Sequence, residues 1–239
     1  MKLSLIIPCY NEAANLELLI PRCAVVAGDG SEIEVVLVDN GSSDATAEVL
    51  ADLLPGHPGC RTIRVDENKG YGFGILEGLR AARGEILAWC HADMQTDPAD
   101  VLEGLALFER AAYPGSLFVK GLRRGRPVAD QAFTIGMAAF ESLLLWEPLW
   151  DINAQPTMFP RHFFDAWYRP PHDFSLDLYA YYQARKVGLE VRRIPVRFGA
   201  RAHGVSHWNV DWQAKRDFIR RTIRYSWKLR REMRKRRVR

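Results

Sequence analysis

The chain has 239 residues, 48% of them apolar, with 33 Lys and Arg against 29 Asp and Glu for a formal charge of +4. That length buries one sizeable core and excludes a disordered tail or a small module dependent on disulfide staples. The average conceals an acidic body at −7 (residues 1–214) and a basic tail at +11 (Lys215 to Arg239), and such a tail suits an anionic membrane leaflet or a nucleic acid backbone.

In chain order, MKLSLIIPCYNE holds an apolar run of about five residues before Pro8, too short for a signal-peptide core, so no cleavable export signal is expected. Leu3 to Ile7 reads as a buried strand, after which Asn11 or its neighbours cap a helix carrying Leu16, Leu19 and Ile20. Ile33 to Val38 is a second strand, ending at Asp39-Asn40-Gly41-Ser42-Ser43-Asp44, a turn cluster that leads into a helix over Ala45 to Leu54. Arg61 to Val65 is a third strand, Gly70 to Arg83 a glycine-bearing helix, and Ile86 to Cys90 a fourth strand running into His91-Ala92-Asp93-Met94-Gln95. Asp97-Pro98 starts another helix, and Leu117 to Lys120 is the fifth strand.

Strands alternating with helices of this length predict an α/β fold with a mostly parallel sheet covered on both faces, and a ligand site at the carboxyl ends of the strands. Polar groups gather there: Tyr10, Asn11 and Glu12, then Asp39, then Asp66 and Glu67, then His91 and Asp93. The second half is less regular. A basic turn, Gly121 to Pro127, precedes an amphipathic helix to about Leu145; Asp151 to Arg161 carries two prolines; Gly188 to Phe198 is a strand; and the chain is helical from Asp211. The most apolar stretch, Ala132 to Trp150, is interrupted by Glu141, Glu147 and Pro148, so any membrane contact is expected to be peripheral. Cys9, Cys23, Cys60 and Cys90 form no CxxC pair and read as small core hydrophobes of an intracellular protein.

The segments LSLIIPCYNEAANL, VVLVDNGSSDAT and ENKGYGFGILEGLRAARGEILAWCHADMQTDP resemble the strand-turn, acidic and metal-loop motifs of the family 2 inverting glycosyltransferases, whose nucleotide-sugar-binding fold is called GT-A. GLRRGRP, DINAQPTMFPR and IPVRFGARAHGVSHW are similar to segments of that family's dolichyl- and polyprenyl-phosphate sugar synthases. The glycines at 70, 72, 74 and 78 follow the third strand and spell G-x-G-x-G, so they do not read as a dinucleotide fingerprint.

The resemblance implies a GT-A catalytic domain over residues 1–210 and a basic amphipathic helix over 211–239. It places Pro8, Tyr10 and Glu12 at the base and ribose of a UDP- or GDP-linked sugar, with Asp39 accepting hydrogen bonds there. Asp93 matches the second acid of the metal loop and Gln95 a supporting ligand for Mg²⁺ or Mn²⁺; an ion of this kind neutralises a diphosphate leaving group. His91 stands where the first acid is usual, a poorer partner for hard Mg²⁺ and a workable one for Mn²⁺, and it can instead hydrogen-bond the nucleotide.

Arg201 and His207 resemble a loop closing over the donor diphosphate, His207 replacing the usual Lys. Arg123, Arg124 and Arg126 suit an acceptor phosphate, because guanidinium forks match phosphate oxygens. Such an acceptor needs no base; a hydroxyl acceptor does, and Asp151 is then the candidate. Gln155-Pro156-Thr157 departs from the Ser-Gly-Phe-Arg type common in the lipid-phosphate branch and leaves both acceptors open. His91 also motivates a catalytically impaired nucleotide-sugar-binding protein as a third reading.

On the C-terminal helix, Trp212, Phe218, Ile219, Ile223, Tyr225, Leu229 and Met233 fall in one roughly 160° arc at about 100° per residue, opposite most of the basic residues. That pattern fits an interfacial helix on the cytoplasmic face of a membrane, a helix packed on the catalytic body, or packing over 211–228 with 229–239 reaching anionic lipid. No nucleic-acid-reading motif accompanies it, so nucleic acid is not an expected partner.

Overall fold

The computed structural model describes residues 1–28, 32–203 and 212–237. Strands β1 (Leu3–Cys9), β2 (Ile33–Asn40), β3 (Cys60–Val65), β4 (Ile86–Trp89), β5 (Leu117–Arg124), β6 (Thr157–Pro160) and β7 (Glu190–Arg197) form one sheet in the order β3-β2-β1-β4-β6-β5-β7. Strand β6 runs antiparallel to β4 and β5, and the other pairings are parallel. The helices are α1 (Ala13–Ala27), α2 (Thr46–Leu53), α3 (Tyr71–Ala81), α4 (Asp100–Arg110), α5 (Val128–Leu145), α6 (Arg161–Asp165), α7 (Ser175–Lys186) and α8 (Trp212–Arg237).

The central strands are buried on both faces, which is why they read as nearly continuous apolar runs. Their alternate residues feed two core layers. Leu3, Leu5 and Ile7 pack with Leu16 and Leu19 of α1, Leu50 of α2 and Leu105 of α4. Ile6, Val36 and Val38 pack with Ile75 and Leu79 of α3, Phe163 of α6 and Tyr179 of α7. Gly78 lets α3 settle on the sheet, because a Cβ there would collide with Ile6 and Val38. All four cysteines are free and buried, as expected of core hydrophobes.

From β1 the chain goes to β2 and β3 on one side, and β4 then returns to the other side of β1. This reversal opens a crevice between the carboxyl ends of β1 and β4, the position where open α/β sheets bind ligands.

Strands β5 and β6 and helix α7 differ from the sequence reading, whereas α8 follows one of the alternatives given for it. Strand β5 continues to Arg124, so Arg123 and Arg124 pair with Val196 and Arg197 of β7 instead of lying in a turn. Strand β6 and helix α7 went unread, since β6 is four residues that follow Pro156 and end in Pro160, and α7 is buried around most of its circumference, leaving no amphipathic period. Helix α8 packs on the body: Leu229 is 2% exposed, Tyr225 lies against the core layer that holds Leu145 and Leu149, and Ser226 Oγ donates to Glu141 Oε1 at 2.8 Å. Leu229 is therefore not part of a lipid-reaching end; the side chains of Trp212, Phe218 and Met233 lie outside the described residues. Among the described residues no helix is long and apolar enough to cross a membrane.

Gly121 marks a close approach between β5 and the 151–156 loop: its N–H donates to Pro156 O at 2.9 Å, and a Cβ would strike the Gln155 carbonyl. Gly121→Ala is expected to destabilise the fold by about 1–3 kcal/mol through overpacking, as read by a lower midpoint in urea unfolding.

Candidate functional site

The turn after β1 is tied to the turn after β2. Asn11 adopts a left-handed backbone (φ 55°), a conformation asparagine tolerates better than most residues. Its N–H donates to Ser42 Oγ at 3.1 Å, while its Oδ1 accepts from the N–H of Ser43 at 2.9 Å and of Asp44 at 3.4 Å. Asn11 does not cap α1. The N–H groups of Glu12 and Ala13 instead donate to Thr46 Oγ1 (2.9 Å) and Asp44 Oδ2 (3.3 Å). Burial alone would raise the Asp44 carboxyl, but bonds from the Thr46 hydroxyl, the Thr46 N–H and the Ala13 N–H hold it below the usual range.

Pro8 sits in β1 opposite Val38, and Tyr10 is exposed beside it. Asp39 is 1% exposed; its Oδ1 accepts from Ser42 N–H at 2.9 Å and its Oδ2 faces the Arg64 guanidinium at 3.5 Å. Asp39 Oδ2 and Asn40 Oδ1 are buried acceptors with no hydrogen-bond donor among the described residues. Buried acceptors are seldom left so, and two at one strand end suit a ligand that brings N–H or O–H groups.

Across the crevice, Asp93 is buried, its Oδ1 accepting from Gln95 N–H at 3.1 Å and its Oδ2 pairing with Arg201 at 2.9 Å. Burial raises the Glu12 carboxyl above its ordinary value, the Asn15 amide opposes this, and the nearby charge of Asp93 adds to it. His91 Nε2 lies 2.8 Å from the Tyr71 hydroxyl, and the Tyr71 ring stacks on Phe174. Among the described residues no three His, Cys, Asp or Glu side chains converge into a metal cage. A single carboxylate with spare lone pairs, an imidazole and an amide fit an ion that takes its remaining ligands from substrate phosphate and water, as Mg²⁺ commonly does.

Gln95 joins this loop to the basic cluster. Gly199 N–H donates to Gln95 O at 2.8 Å, Gln95 Nε2 donates to Gly199 O at 3.2 Å, and Phe198 N–H donates to Arg124 O at 2.9 Å. The guanidinium carbons of Arg123 and Arg126 lie 5.3 and 5.6 Å from the Phe198 ring centre. Arg123 also grips Asp151: Nε donates to Oδ1 at 2.9 Å, Nη2 donates to the same oxygen, and its backbone N–H donates to Oδ2 at 3.1 Å. Burial would raise the Asp151 carboxyl, yet the Arg123 hydrogen bonds and charge hold it below its usual range. Arg126 is lowered by burial and by Arg123, and it donates to Thr134 Oγ1 at 2.7 Å. Arg124 is exposed.

Close to the Arg123–Asp151 pair lies a network the sequence reading missed. Lys120, fully buried, donates to Thr157 Oγ1 at 2.7 Å and lies 3.8 Å from Asp177; Gln155 Nε2 donates to Asp177 Oδ1 at 2.7 Å, and Thr157 Oγ1 donates to Gln155 Oε1 at 3.1 Å. Burial pushes the Lys120 amine down to about 7 against the opposing charge of Asp177. A lysine ending the apolar run LFVK was the available signal. His207 and its neighbours Gly204, Ser206 and Trp208 lie outside the described residues.

Residues 4–169 match the model of the family described as Glycosyl transferase family 2. The chain belongs to that family. Its relatives include an undecaprenyl-phosphate 4-deoxy-4-formamido-L-arabinose transferase of Edwardsiella ictaluri, 36% identical over 101 residues, a match covering 41% of this chain and 31% of the relative. A dolichol-phosphate mannosyltransferase of Pyrococcus furiosus is 34% identical over 51% of this chain and 34% of its own length. The matches thus span about a third of those curated relatives. Among solved structures, glucosyl-3-phosphoglycerate synthase from Mycobacterium tuberculosis with Mn²⁺ and UDP-Glc superimposes with TM-score 0.70 at 18% identity, over 94% of this chain and 78% of that one. A mannosyltransferase from Pyrobaculum calidifontis with GDP-Man and Mn²⁺ gives 0.64 at 20% identity, over 85% and 58%. The fold of this family 2 chain is therefore GT-A, as the sequence resemblance implied.

The Arg123–Asp151 pair gives a pH signature. Because the folded carboxyl titrates below its unfolded value, its stabilisation is present above that value and is lost as pH falls through the folded one. Asp151→Ala should cost about 3–5 kcal/mol near pH 7 by leaving Arg123 unpaired, and urea midpoints of wild type and variant should begin to approach each other only below about pH 4, meeting below the folded value.

Proposed function

We propose that this protein transfers one sugar, with inversion, from a UDP- or GDP-linked donor to a polyprenyl phosphate at the cytoplasmic face of a membrane. The observation that carries this reading is the pair of guanidiniums, Arg123 and Arg126, over the ring of Phe198, whose neighbour Gly199 is hydrogen-bonded to Gln95 of the loop bearing Asp93. The names of the sequence relatives, which pair a sugar with undecaprenyl or dolichol phosphate, support the same acceptor class.

In this reading residues 1–210 form the catalytic body and 211–239 the basic helix. Pro8, Tyr10 and Glu12 line the base and ribose, and the oxygens of Asp39 and Asn40 that lack a hydrogen-bond donor among the described residues accept from them. Arg201, and His207 in the closing loop, face the donor diphosphate. Asp93, with Gln95 and His91, holds Mg²⁺ or Mn²⁺, which when bound supplies positive charge to the departing diphosphate. A phosphate monoester acceptor is ionised at neutral pH and needs orientation more than deprotonation. Arg126 with Arg123 holds its oxygens, Arg124 widens the positive mouth, and Asp151 fixes the Arg123 fork.

The low Asp151 carboxyl favours this acceptor over a hydroxyl. A general base works best with its titration near the operating pH, and Asp151 is shifted the other way and already engaged by Arg123. Nucleotide-sugars scored by thermal stabilisation in Mn²⁺ would identify the donor. With that donor, Asp93→Ala should lower transfer by at least about 100-fold, and full activity in this variant would remove the metal-loop assignment. Asp151→Asn should keep transfer to a polyprenyl phosphate within about tenfold, whereas its abolition together with transfer to saccharide hydroxyls would establish the hydroxyl-acceptor reading. Absence of turnover with every donor and acceptor, despite donor binding, would leave a nucleotide-sugar-binding protein.

A further inference from the structure

The loop that carries Asp151 is held at each end by a cation. At its start, the Arg193 guanidinium of β7 donates to Trp150 O, to Gly121 O at 2.8 Å and to Asp151 O at 3.5 Å. At its end stands Lys120, paired across the sheet with Thr157, which accepts the lysine's hydrogen bond and donates to Gln155, while the Gln155 amide donates to Asp177 of α7. One ring faces both cations: the centre of Tyr181 lies 5.1 Å from Arg193 Cζ and 6.0 Å from Lys120 Nζ. Between the two ends Asp151 adopts a left-handed backbone (φ 43°), a conformation that persists where the surroundings over-determine it.

Packing alone does not call for a lysine here. Its strand neighbours Phe118 and Val119 fill the two core layers, and a buried ion pair is often no more stable than an apolar replacement of similar volume. Strand alternation puts Lys120 on the Phe118 side of β5 and Arg123 on the Val119 side. The two communicate through the loop: Gly121 N–H donates to Pro156 O at 2.9 Å, and Asp151 receives the Arg123 side chain and N–H. The charges acting on Lys120 are Asp177 of α7, Asp151 of the loop, Arg193 of β7 and Arg123 of its own strand, two carboxylates against two guanidiniums. In so balanced a setting burial decides, and the amine titrates at about 7. A dianion arriving at Arg123 tips the balance toward the ammonium form.

We infer that Lys120 is a positioning residue for the dianion that Arg123 receives, bracing Thr157, Gln155 and Asp177 so that the loop presents Asp151 to the Arg123 fork, and gaining a proton from solvent when the dianion binds. This deepens the polyprenyl-phosphate reading, on which it rests only for the identity of the dianion. Because the protonated amine favours the bound anion, anion affinity should fall as pH rises from about 7 to about 9.

The test is calorimetric titration of the full chain with inorganic sulfate, a tetrahedral dianion with no proton of its own to exchange near neutral pH, in buffers of different ionisation enthalpy. At about pH 8 wild type should take up about 0.3 proton or more per sulfate bound. Lys120→Met/Asp177→Asn removes both buried charges together and keeps an acceptor for the Gln155 amide, so it should fold, as checked by circular dichroism. It should take up no proton and bind sulfate about three- to tenfold more weakly. Arg123→Ala should abolish the uptake as well, which places it at this site. No sulfate binding or no proton uptake by wild type, uptake that survives Arg123→Ala, or a double variant with wild-type uptake and affinity within about twofold each overturn the inference. Geranyl phosphate separates it from the reading it rests on. If sulfate behaves as expected but geranyl phosphate neither binds nor accepts sugar, the acceptor reading falls and the role of Lys120 stands; if geranyl phosphate accepts sugar equally well in wild type and double variant, without proton uptake, the role of Lys120 falls and the acceptor reading stands.

Discussion

The structure depends on how three doubly buried strands end. Strands β1, β2 and β4 run parallel at the centre of the sheet, so their last peptide groups and the first turns of the helices that follow must all find partners within one narrow rim. The chain leaves β1 toward one half of the sheet and arrives at β4 in the other, and polar side chains fill the gap between them. Asn11, Ser42, Asp44 and Thr46 satisfy backbone groups there. Asp39, Glu12 and Asp93 gather there as acids, Asp39 facing Arg64 of β3 and Glu12 raised by burial and by the charge of Asp93.

The opposite charge arrives from the second half of the chain. Arg201 reaches Asp93 from beyond β7, and Arg123 reaches Asp151 from the end of β5. The crevice is thus split into an acidic wall and a basic wall, and the hydrogen bonds between Gln95 and Gly199 hold them in one register. Sites of this polarity suit a ligand whose parts differ: hydroxyls and ring nitrogens on one side, phosphate oxygens on the other.

The parallel half of this arrangement was legible in the sequence, because buried parallel strands announce themselves as apolar runs and their loops by Asp, Asn, Gly and Ser. The strands beginning at Leu3, Ile33, Arg61 and Ile86 match within two residues at their ends. The second half was not, for reasons of length and burial. Strand β6 offers four residues, the last of them Pro160, and α7 buries Asp177 and Gln183 along with its tyrosines, so neither shows a period. Of the site, Pro8, Tyr10, Glu12, Asp39 and Asp93 could be placed because they follow the apolar strands. The Arg123–Asp151 pairing could not, because 28 residues separate partners that only the β5–β7 pairing and the 151–156 loop bring together. Lys120 was hidden by its apolar neighbours, and the role of α8 by a periodicity that serves packing and lipid contact equally.

The first turn of α1 carries one more consequence. Its initial N–H groups donate to Asp44 and Thr46, more than thirty residues downstream, and Pro21 interrupts its hydrogen-bond ladder further on. A helix so dependent on distant partners has little reason to form alone. Its nucleation and the docking of β2 beside β1 become one event along the folding route, so the turn after β2 also sets when the first helix of the chain can exist.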